Sequence, residues 1–336
     1  MLICRNINLK PYNTFALDYL AGTMIHIRTE KEARILFRKE LSWKNPLLIL
    51  GGGSNLLFTE NFIGTILHPE IGRIKIEEQK GEYVTISAGA GVKWDKLVEW
   101  CVDMGFSGIE NLSGIPGNVG AVPVQNIGAY GIEAGDSITR IRTISISDGT
   151  LRIFSNAECN FRYRSSIFKT SEKGRYLVTR VYFRLAINHN PSLSYGSLKE
   201  EVCKIGRPTL KNIRTAVLKI RESKLPDPNV IGNAGSFFKN PVVSKTTAGK
   251  LLKAFPGIPI YEDPSGNKKL AAGWLTEQCG WKGKRFGDAG VHEKQALVLV
   301  NHGKATGKEI FELSEEIKKS IMKKFGIELE REVEVI

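Results

Sequence analysis

Between Asn111 and Gly131 the chain reads NLSGIPGNVGAVPVQNIGAYG, with five glycines, two prolines and no charged side chain, although 25% of the whole sequence is charged. Glycine lets main-chain N–H groups turn toward a ligand and come close to it, and a run without carboxylates does not repel a phosphate. The segment therefore predicts a pocket made of backbone. A solvated surface loop is the alternative, but Ile115, Val119, Val122, Val124 and Ile127 alternate with the glycines, and a loop in water has little use for them.

With 336 residues the chain has room for two or three domains. No stretch approaches the ~20 apolar residues of a membrane span, and the opening MLICRNINLKPYN lacks the apolar run of a signal peptide. A cytoplasmic protein without membrane insertion is expected. Cys4, Cys101, Cys159, Cys203 and Cys279 are odd in number, scattered and without a nearby histidine pair, so neither a disulfide framework nor a metal site is expected. The formal charge of +13 is spread along the length without a dense basic run or a nucleic-acid-binding signature. Most of it reads as solvated surface, a minority as steering for acidic ligands, and no nucleic-acid partner is expected.

Thr29 and Glu32 form a capping-box pattern for a helix through Lys39. The apolar run Leu47–Leu50, the turn Gly51-Gly-Gly-Ser-Asn55 and the strand-like Leu56-Leu-Phe58 follow. A Rossmann unit needs its glycine turn to open a helix; here a second strand follows, so that fold is disfavoured, although a glycine nest between strands can still hold a pyrophosphate. Lys80-Gly-Glu82 predicts a hairpin, and Val92–Met104 a helix with Trp94, Leu97, Val98, Cys101 and Val102 inward, stopped by Gly105. Alternating stretches around Asp148-Gly149 and over Tyr176–Leu185 predict a largely antiparallel unit. A helix from about Thr209, with Leu210, Ile213, Val217 and Ile220 inward, should stop before Leu225-Pro-Asp-Pro228, a natural boundary. Further helices are expected near Thr246–Phe255, Ala271–Cys279 and Lys308–Phe325. In the tail, Ile327, Leu329, Val333 and Val335 alternate with Glu328, Glu330, Glu332 and Glu334, the pattern of a half-buried strand.

Three further segments could carry chemistry. In Phe161–Lys169 (FRYRSSIFK), alternation would put Arg162 and Arg164 on one strand face, suited to a carboxylate or phosphate, although composition alone favours two surface arginines. Ser194–Ser197 (SYGS) is the second. In Gly232–Pro241 (GNAGSFFKNP), Ser236 follows Ala-Gly and precedes two phenylalanines. A Gly-x-Ser-x-Gly elbow is absent and no histidine is paired with it, so the residues alone favour a turn serine over a proton donor.

The strings LGGGSN (Leu50–Asn55), GIENLSGIPGNVGAVPVQNIGAYG (Gly108–Gly131), FRYRSSIFK, SYGSL, KLPDP (Lys224–Pro228), GNAGSFFKNP, LAAGWL (Leu270–Leu275), QALVLVN (Gln295–Asn301) and the closing EREVEV occur in one order from about residue 9 to the end. Together they resemble the UDP-N-acetylenolpyruvoylglucosamine reductase family, and the Tyr195 segment is similar to the subtype in which a tyrosine loop closes over substrate.

The resemblance implies an α+β protein with an FAD-binding fold of the vanillyl-alcohol-oxidase type in two subdomains (1–73 and 74–225), an α+β substrate-binding domain (226–326) and a C-terminal strand (327–336) returning to the FAD-binding region. It implies non-covalent FAD, held by Gly51, Gly52, Gly53, Ser54 and Asn55 and by Gly117, Gly120, Ala121, Asn126, Gly128, Tyr130 and Gly131. Ser236 matches the family's general acid. Arg164 and Glu332 match the residues that polarise the substrate carboxylate and stabilise the intermediate. Tyr195, Lys224, Asn240 and Gln295 match positions that bind the UDP-sugar, and Lys224 also suits the phosphates of NADPH. One departure stands at Glu334, where family members often carry a basic residue near the flavin, so no cofactor contact carries over to it.

The implied reaction is reduction of the enolpyruvyl ether of UDP-N-acetylglucosamine-enolpyruvate to UDP-N-acetylmuramate in peptidoglycan precursor synthesis, with NADPH as hydride donor and a monomeric enzyme. The carbon left after hydride addition is far more basic than an alkoxide, so even a serine hydroxyl can protonate it downhill. Two other readings compete: a flavin oxidase, which often links FAD through histidine or cysteine, absent from the glycine-rich segments, and a basic nucleic-acid-binding protein.

Overall fold

The computed structural model describes residues 1–39, 46–188, 191–263 and 265–336. The chain divides into two compact units, one of Met1–Ile7, Ala21–Gly52 and Ile63–Arg221, the other of Asn8–Leu20, Gly53–Phe62 and Glu222–Ile336.

In the first unit the strands Leu2–Asn8, Leu20–Ile27, Phe62–Pro69 and Leu47–Ile49 form one sheet in that order, the last two parallel. Helix α1 (Glu30–Lys39) buries Ala33, Leu36 and Phe37 in a cluster with Ile25, Ile27, Leu67, Ile144 and Leu177. Its cap differs from the expected box by one residue: Thr29 Oγ1 accepts from the Glu32 amide at 3.1 Å, but the Glu32 carboxylate reaches past Thr29 to the Arg28 amide at 2.7 Å. A second, antiparallel sheet has the order Leu151–Ser155, Ile138–Ser145, Tyr176–Ala186, Tyr83–Gly89, Ile74–Lys80. The antiparallel pairing is as the alternating stretches around Asp148-Gly149 and Tyr176–Leu185 predict, and the hairpin at Gly81 is where the turn residues put it. Helix α2 (Trp94–Asp103) lays Trp94, Leu97, Val98, Cys101 and Val102 on one core with Val84, Ile86 and Phe183.

Helix α3 (Leu198–Ile205) lies directly after the Tyr195 segment and has no counterpart in the sequence reading. Only Leu198 and Val202 mark its buried side, and two apolar positions in eight residues leave too faint a period to stand out. It shares a cluster with Ile213, Ala216, Val217 and Ile220 of α4 (Leu210–Lys224). The strand expected for Arg162 and Arg164 is instead a tight turn, in which Arg162 and Ser165 exchange backbone bonds of 3.0 Å each way and Arg164 takes φ +52°.

The second unit gathers its core from the segments around Phe15, Leu17 and Leu57 and from the C-terminal third, with Phe237, Phe238, Leu275, Leu299 and Ile317 fully buried. One antiparallel sheet orders Gly232–Ser236, Val298–Asn301, Ala289–Val291 and Arg285–Phe286; another orders Val242–Val243, Lys268–Leu270 and Ile260–Glu262. Around them are α5 (Lys245–Ala254), α6 (Ala272–Gln278) and α7 (Gly307–Phe325). Helix α7 opens on a complete capping box, with Thr306 Oγ1 accepting from the Glu309 amide and the Glu309 carboxylate accepting from the Thr306 amide at 2.7 Å, and ends at Gly326 in the left-handed region. It buries Ile310, Leu313, Ile317, Ile321 and Phe325 along one stripe, each contributing about 1.5–3 kcal/mol over exposure.

The tail keeps the predicted alternation of burial, with Ile327, Leu329 and Val333 inside, but it is not one strand. Arg331 makes a single bridge to Phe238, and only Glu334–Val335 pairs as a strand, parallel to Leu56–Leu57. Two different partners take the two stretches, so the backbone bends between them at Glu332 and Val333.

Candidate active site

Gly51 and Gly52 end the strand Leu47–Ile49 and face the glycine-rich segment. A Cβ on Gly52 would lie 2.8 Å from Gly117 Cα, and one on Gly51 would touch Ala121 Cβ at 3.5 Å. Here two stretches of backbone meet at a distance that only glycine permits. Bonds from the Val119 amide to Val92 O (2.8 Å) and from Gly120 N to Ala90 O (2.9 Å) hold the short helical turn Val119–Ala121 in place. Asn118 is 4% exposed, its Oδ1 has no hydrogen-bond partner among the described residues, and it lies 3.3 Å from where the Gly52 Cβ would be. A buried acceptor without a donor is costly unless a ligand supplies one. A wall of backbone beside such an acceptor fits a dinucleotide such as FAD, which brings anionic phosphates and also hydroxyl and N–H donors.

Farther along, Gly128–Ala129 and Ile132–Glu133 form a hairpin whose two-residue loop is Tyr130–Gly131. Both loop residues have positive φ, 49° and 81°, as such a hairpin demands. Arg164 Nη2 donates to Gly128 O at 2.5 Å, and a Cβ at Gly128 would fall 2.9 Å from Arg164 Nη1, so this glycine makes room for the guanidinium. Arg164 is a non-glycine residue held in the left-handed region, a conformation the surroundings must maintain. Asn126 donates to Glu133 at 2.7 Å and to Arg162 O at 3.2 Å and accepts from Gly135 N at 2.8 Å, which joins the hairpin to the arginine turn.

Tyr195 is 51% exposed and meets Tyr130 edge to face, ring centroids 6.4 Å apart. Burial raises the Tyr130 phenol above its usual pKa, with Arg221 opposing. Burial also pulls the Arg221 guanidinium below its usual value, while Arg221 Nε donates to Gly114 O at 3.1 Å. Arg221 and Asn118 are residues of the first unit that the sequence reading did not single out. The available signal for Arg221 was an arginine four residues after Val217, on the inward face of α4.

In the second unit, Ser236 ends the strand Gly232–Ser236, whose register against Val298–Asn301 shifts between Asn233 and Ser236. Gly235 stands in that shift at φ +71°, its amide bonded to Asn233 Oδ1 at 3.0 Å. Such irregularities re-aim a side chain out of a regular ladder. The next residue, Phe237, accepts a bond from the Glu332 amide at 2.8 Å, so Ser236 and Glu332 share one stretch of backbone pairing. Asn55 Nδ2 donates to Glu332 O at 3.1 Å, and the Glu334 amide donates to Asn55 O at 3.1 Å, which places the 53–55 turn beside the tail. The Gly53 carbonyl accepts from the Thr14 amide at 3.1 Å, and Ser54 lies in the same turn. The tail glutamates, equivalent by alternation, differ in surroundings: Glu330 pairs with Lys239, Glu328 is exposed, and Glu332 is half-buried.

Asn240 and Gln295 converge on the first turn of α6. Asn240 Oδ1 accepts from the Ala272 amide at 3.0 Å, and Gln295 Oε1 lies 3.1 Å from the position a Gly273 Cβ would take. Lys224 is exposed at the end of α4.

Two family models match, the FAD binding domain over residues 25–155 and the C-terminal domain of UDP-N-acetylenolpyruvoylglucosamine reductase over 227–336. The reductase of that name from Flavobacterium johnsoniae is 45% identical over all of both chains, and that of Pseudomonas aeruginosa is 45% identical over 97% of this chain and 96% of its own. Among solved structures, the UDP-N-acetylenolpyruvylglucosamine reductase of Thermus caldophilus superposes with a TM-score of 0.69 at 25% identity, covering 100% of this chain and 99% of its own. A solvent-stable cholesterol oxidase shares the fold at a TM-score of 0.50 and 11% identity, covering 95% of this chain and 85% of its own. The fold is thus the expected FAD-binding architecture followed by a second α+β domain, and the chain belongs to the UDP-N-acetylenolpyruvoylglucosamine reductase family.

Proposed function

We propose that Ser236, Arg164 and Glu332 carry the reaction of this FAD-dependent oxidoreductase: NADPH-driven reduction of the enolpyruvyl ether of UDP-N-acetylglucosamine-enolpyruvate to UDP-N-acetylmuramate, a step of peptidoglycan precursor synthesis. When bound, FAD supplies the hydride relay between NADPH and the substrate's methylene carbon. Gly51–Asn55, Gly117, Gly120, Ala121, Asn126, Gly128, Tyr130 and Gly131 cradle it without a covalent link, since none is a histidine or cysteine.

Hydride addition puts negative charge on the carbon beside the substrate carboxylate. A cation on that carboxylate gains strength as the charge grows, so Arg164, with Glu332 acting on the same group, lowers the barrier more than it tightens binding. Ser236 then donates its proton to that carbon. Tyr195, Lys224, Asn240 and Gln295 position the UDP-sugar, and Tyr195, next to Gly196 at φ +57°, closes over it as a lid. The observation that most supports these roles is the register shift over Ala234 and Gly235, after which Ser236 pairs opposite Val298, one residue before the carbonyl bonded to the Glu332 amide.

We assign 1–73 and 74–225 to the FAD-binding subdomains, 226–326 to the substrate-binding domain and 327–336 to the returning tail. The enzyme acts as a cytoplasmic monomer; no described helix is long and apolar enough to cross a membrane.

Anaerobic NADPH should bleach the bound flavin, and adding UDP-N-acetylglucosamine-enolpyruvate should restore its colour with formation of UDP-N-acetylmuramate. Flavin that stays bleached in the presence of the enolpyruvyl substrate would overturn the assignment. Acid precipitation should leave a colourless protein pellet.

A further inference from the structure

In the first unit, three side chains that the reductase chemistry does not use converge on one point. His26 lies on the strand Leu20–Ile27, His68 on the neighbouring strand Phe62–Pro69, and Glu70 just beyond it. One ligand atom from each falls within 4.8 Å of the others. His26 Nδ1 is 2.8 Å from Glu70 Oε1, His68 Nε2 is 4.0 Å from the same oxygen, and the two rings meet edge to face at 5.4 Å. The side chains of His26 and His68 are 7% and 13% exposed, and that of Glu70 is 34% exposed, so the cluster is shielded yet reachable from one side.

The hydrogen bonds around the cluster fix its chemistry. His68 Nδ1 lies 2.8 Å from the Leu50 carbonyl, which can only accept, so the ring carries a proton there. In that tautomer Nε2 presents a lone pair toward a carboxylate oxygen, and two acceptors directed at one point suit a cation between them. Glu70 is held by contacts to His26 and Arg28. Arg28 Nε bonds Oε2 at 3.2 Å, orienting the carboxylate so that Oε1 faces the histidines.

We propose that His26 Nδ1, His68 Nε2 and Glu70 Oε1 are the protein ligands of a divalent metal site of the zinc class, with a fourth position for water. Imidazole and carboxylate donors in this ratio suit Zn²⁺, Co²⁺ or Ni²⁺ rather than Mg²⁺ or Ca²⁺, which take oxygen ligands. Bonds of about 2.0–2.1 Å in a tetrahedron put ligand atoms roughly 3.3 Å apart. The observed 2.8 and 4.0 Å to Glu70 Oε1 straddle that spacing, and the histidine ligand atoms lie within 4.8 Å of each other, so the three side chains must draw together to close the site. On binding, the His26 proton moves from Nδ1 to Nε2. The Leu50 and Arg28 bonds then take the orienting role that outer-shell partners have in metal sites. Leu50 immediately precedes Gly51, so the ion would brace the strand end that leads into the glycine cradle.

The test uses tag-free, full-length, FAD-loaded protein stripped with a chelator, dialysed and titrated calorimetrically with Zn²⁺. One ion should bind per chain. His68→Ala and Glu70→Gln should each weaken binding by more than the about 10- to 100-fold that loss of an outer-shell partner costs, and Arg28→Ala should fall within that range. Absence of stoichiometric binding, or binding unchanged in His68→Ala, would overturn the site, the latter pointing to thiol ligands instead. If His68→Ala does not fold, Glu70→Gln decides alone, because its side chain is partly exposed and keeps its shape; wild-type affinity in that variant also overturns the site.

Discussion

In the first unit the candidate residues act mainly through backbone, and in the second mainly through side chains. At Gly52 any Cβ would collide with Gly117 backbone, so the position is defined by what it lacks. At Ser236 the strand irregularity is set by Gly235 and Asn233, and the serine oxygen can be removed without disturbing either. Substitutions in the first region should therefore act on whether a cofactor is held, and substitutions in the second on what happens once it is held. Arg164 crosses this division: it is a side chain of the first unit, placed by a glycine and a left-handed turn.

The largest effect is expected at Ser236. Ser236→Ala should leave bleaching by NADPH near normal and slow reoxidation by the enolpyruvyl substrate by roughly 10²–10⁴-fold, the usual range for a lost general acid. Ser236→Cys should recover part of that. Stopped-flow absorbance separates the half-reactions; equal slowing of both would mean that Ser236 supports the fold or the flavin and would break the contrast between the units.

Arg164→Lys comes next, with turnover down by about 10²-fold or more despite the retained charge, because an ammonium cannot reproduce a planar fork on a carboxylate. Unchanged kcat would return Arg164 to the surface arginines. Glu332→Gln should also depress turnover severely, while Glu328→Gln, at an exposed position, should behave as an ordinary surface change within about 0.5 kcal/mol in stability. Equal effects at the two would show that the tail glutamates serve only as a charged face.

Gly52→Ala sharpens the comparison from the other side. Forcing a methyl group against backbone typically costs about 1–3 kcal/mol, here in the geometry of the cradle, so FAD affinity should fall roughly 10- to 100-fold. The fraction that remains loaded should turn over at a near-normal rate. A fluorescence titration of apoprotein with FAD measures the first quantity, and kcat at saturating FAD the second; a kcat loss without an affinity loss would place Gly52 on the wrong side of the division.

Legibility in the sequence followed the same line. Helices α2 and α4 and the antiparallel sheet were readable because each carries a clear period of 3.6 or 2. The pocket of backbone was readable as well, since the absence of charge and the density of glycine are local properties. What was not readable depends on partners distant in sequence. The turn at Arg164 is set by Gly128, the bend in the tail by two different pairings at Phe238 and Leu56, and the pairing of Phe237 with Glu332 by sheet register. Asn118 was hidden for another reason: inside an uncharged, glycine-rich run, an orphaned acceptor looks like any other loop asparagine until its burial is known.

A smaller effect than that at Gly52 should come from a contact that fixes the glycine segment without touching a ligand. Asp95, in the first turn of α2, accepts from Arg214 at 2.6 and 2.8 Å through both oxygens and from the Gly114 amide at 2.6 Å. Burial pushes this carboxyl up, but the bonds from Arg214 and Gly114 outweigh it and hold the pKa below the usual 3.8. The folded form therefore binds this proton less readily than the unfolded chain. The resulting stability is present above about pH 4 and is lost as the pH falls through the depressed folded value. Asp95→Asn should cost about 1 kcal/mol at neutral pH once its partial exposure is allowed for, and leave kcat and FAD content unchanged. Urea unfolding of both proteins from pH 7 to pH 3 should show the gap narrowing at the acid end, where the wild-type carboxylate begins to protonate. A gap that stayed constant with pH would assign the contact to shape rather than charge, and a loss of FAD in the variant would show that side chains as well as backbone hold the cradle.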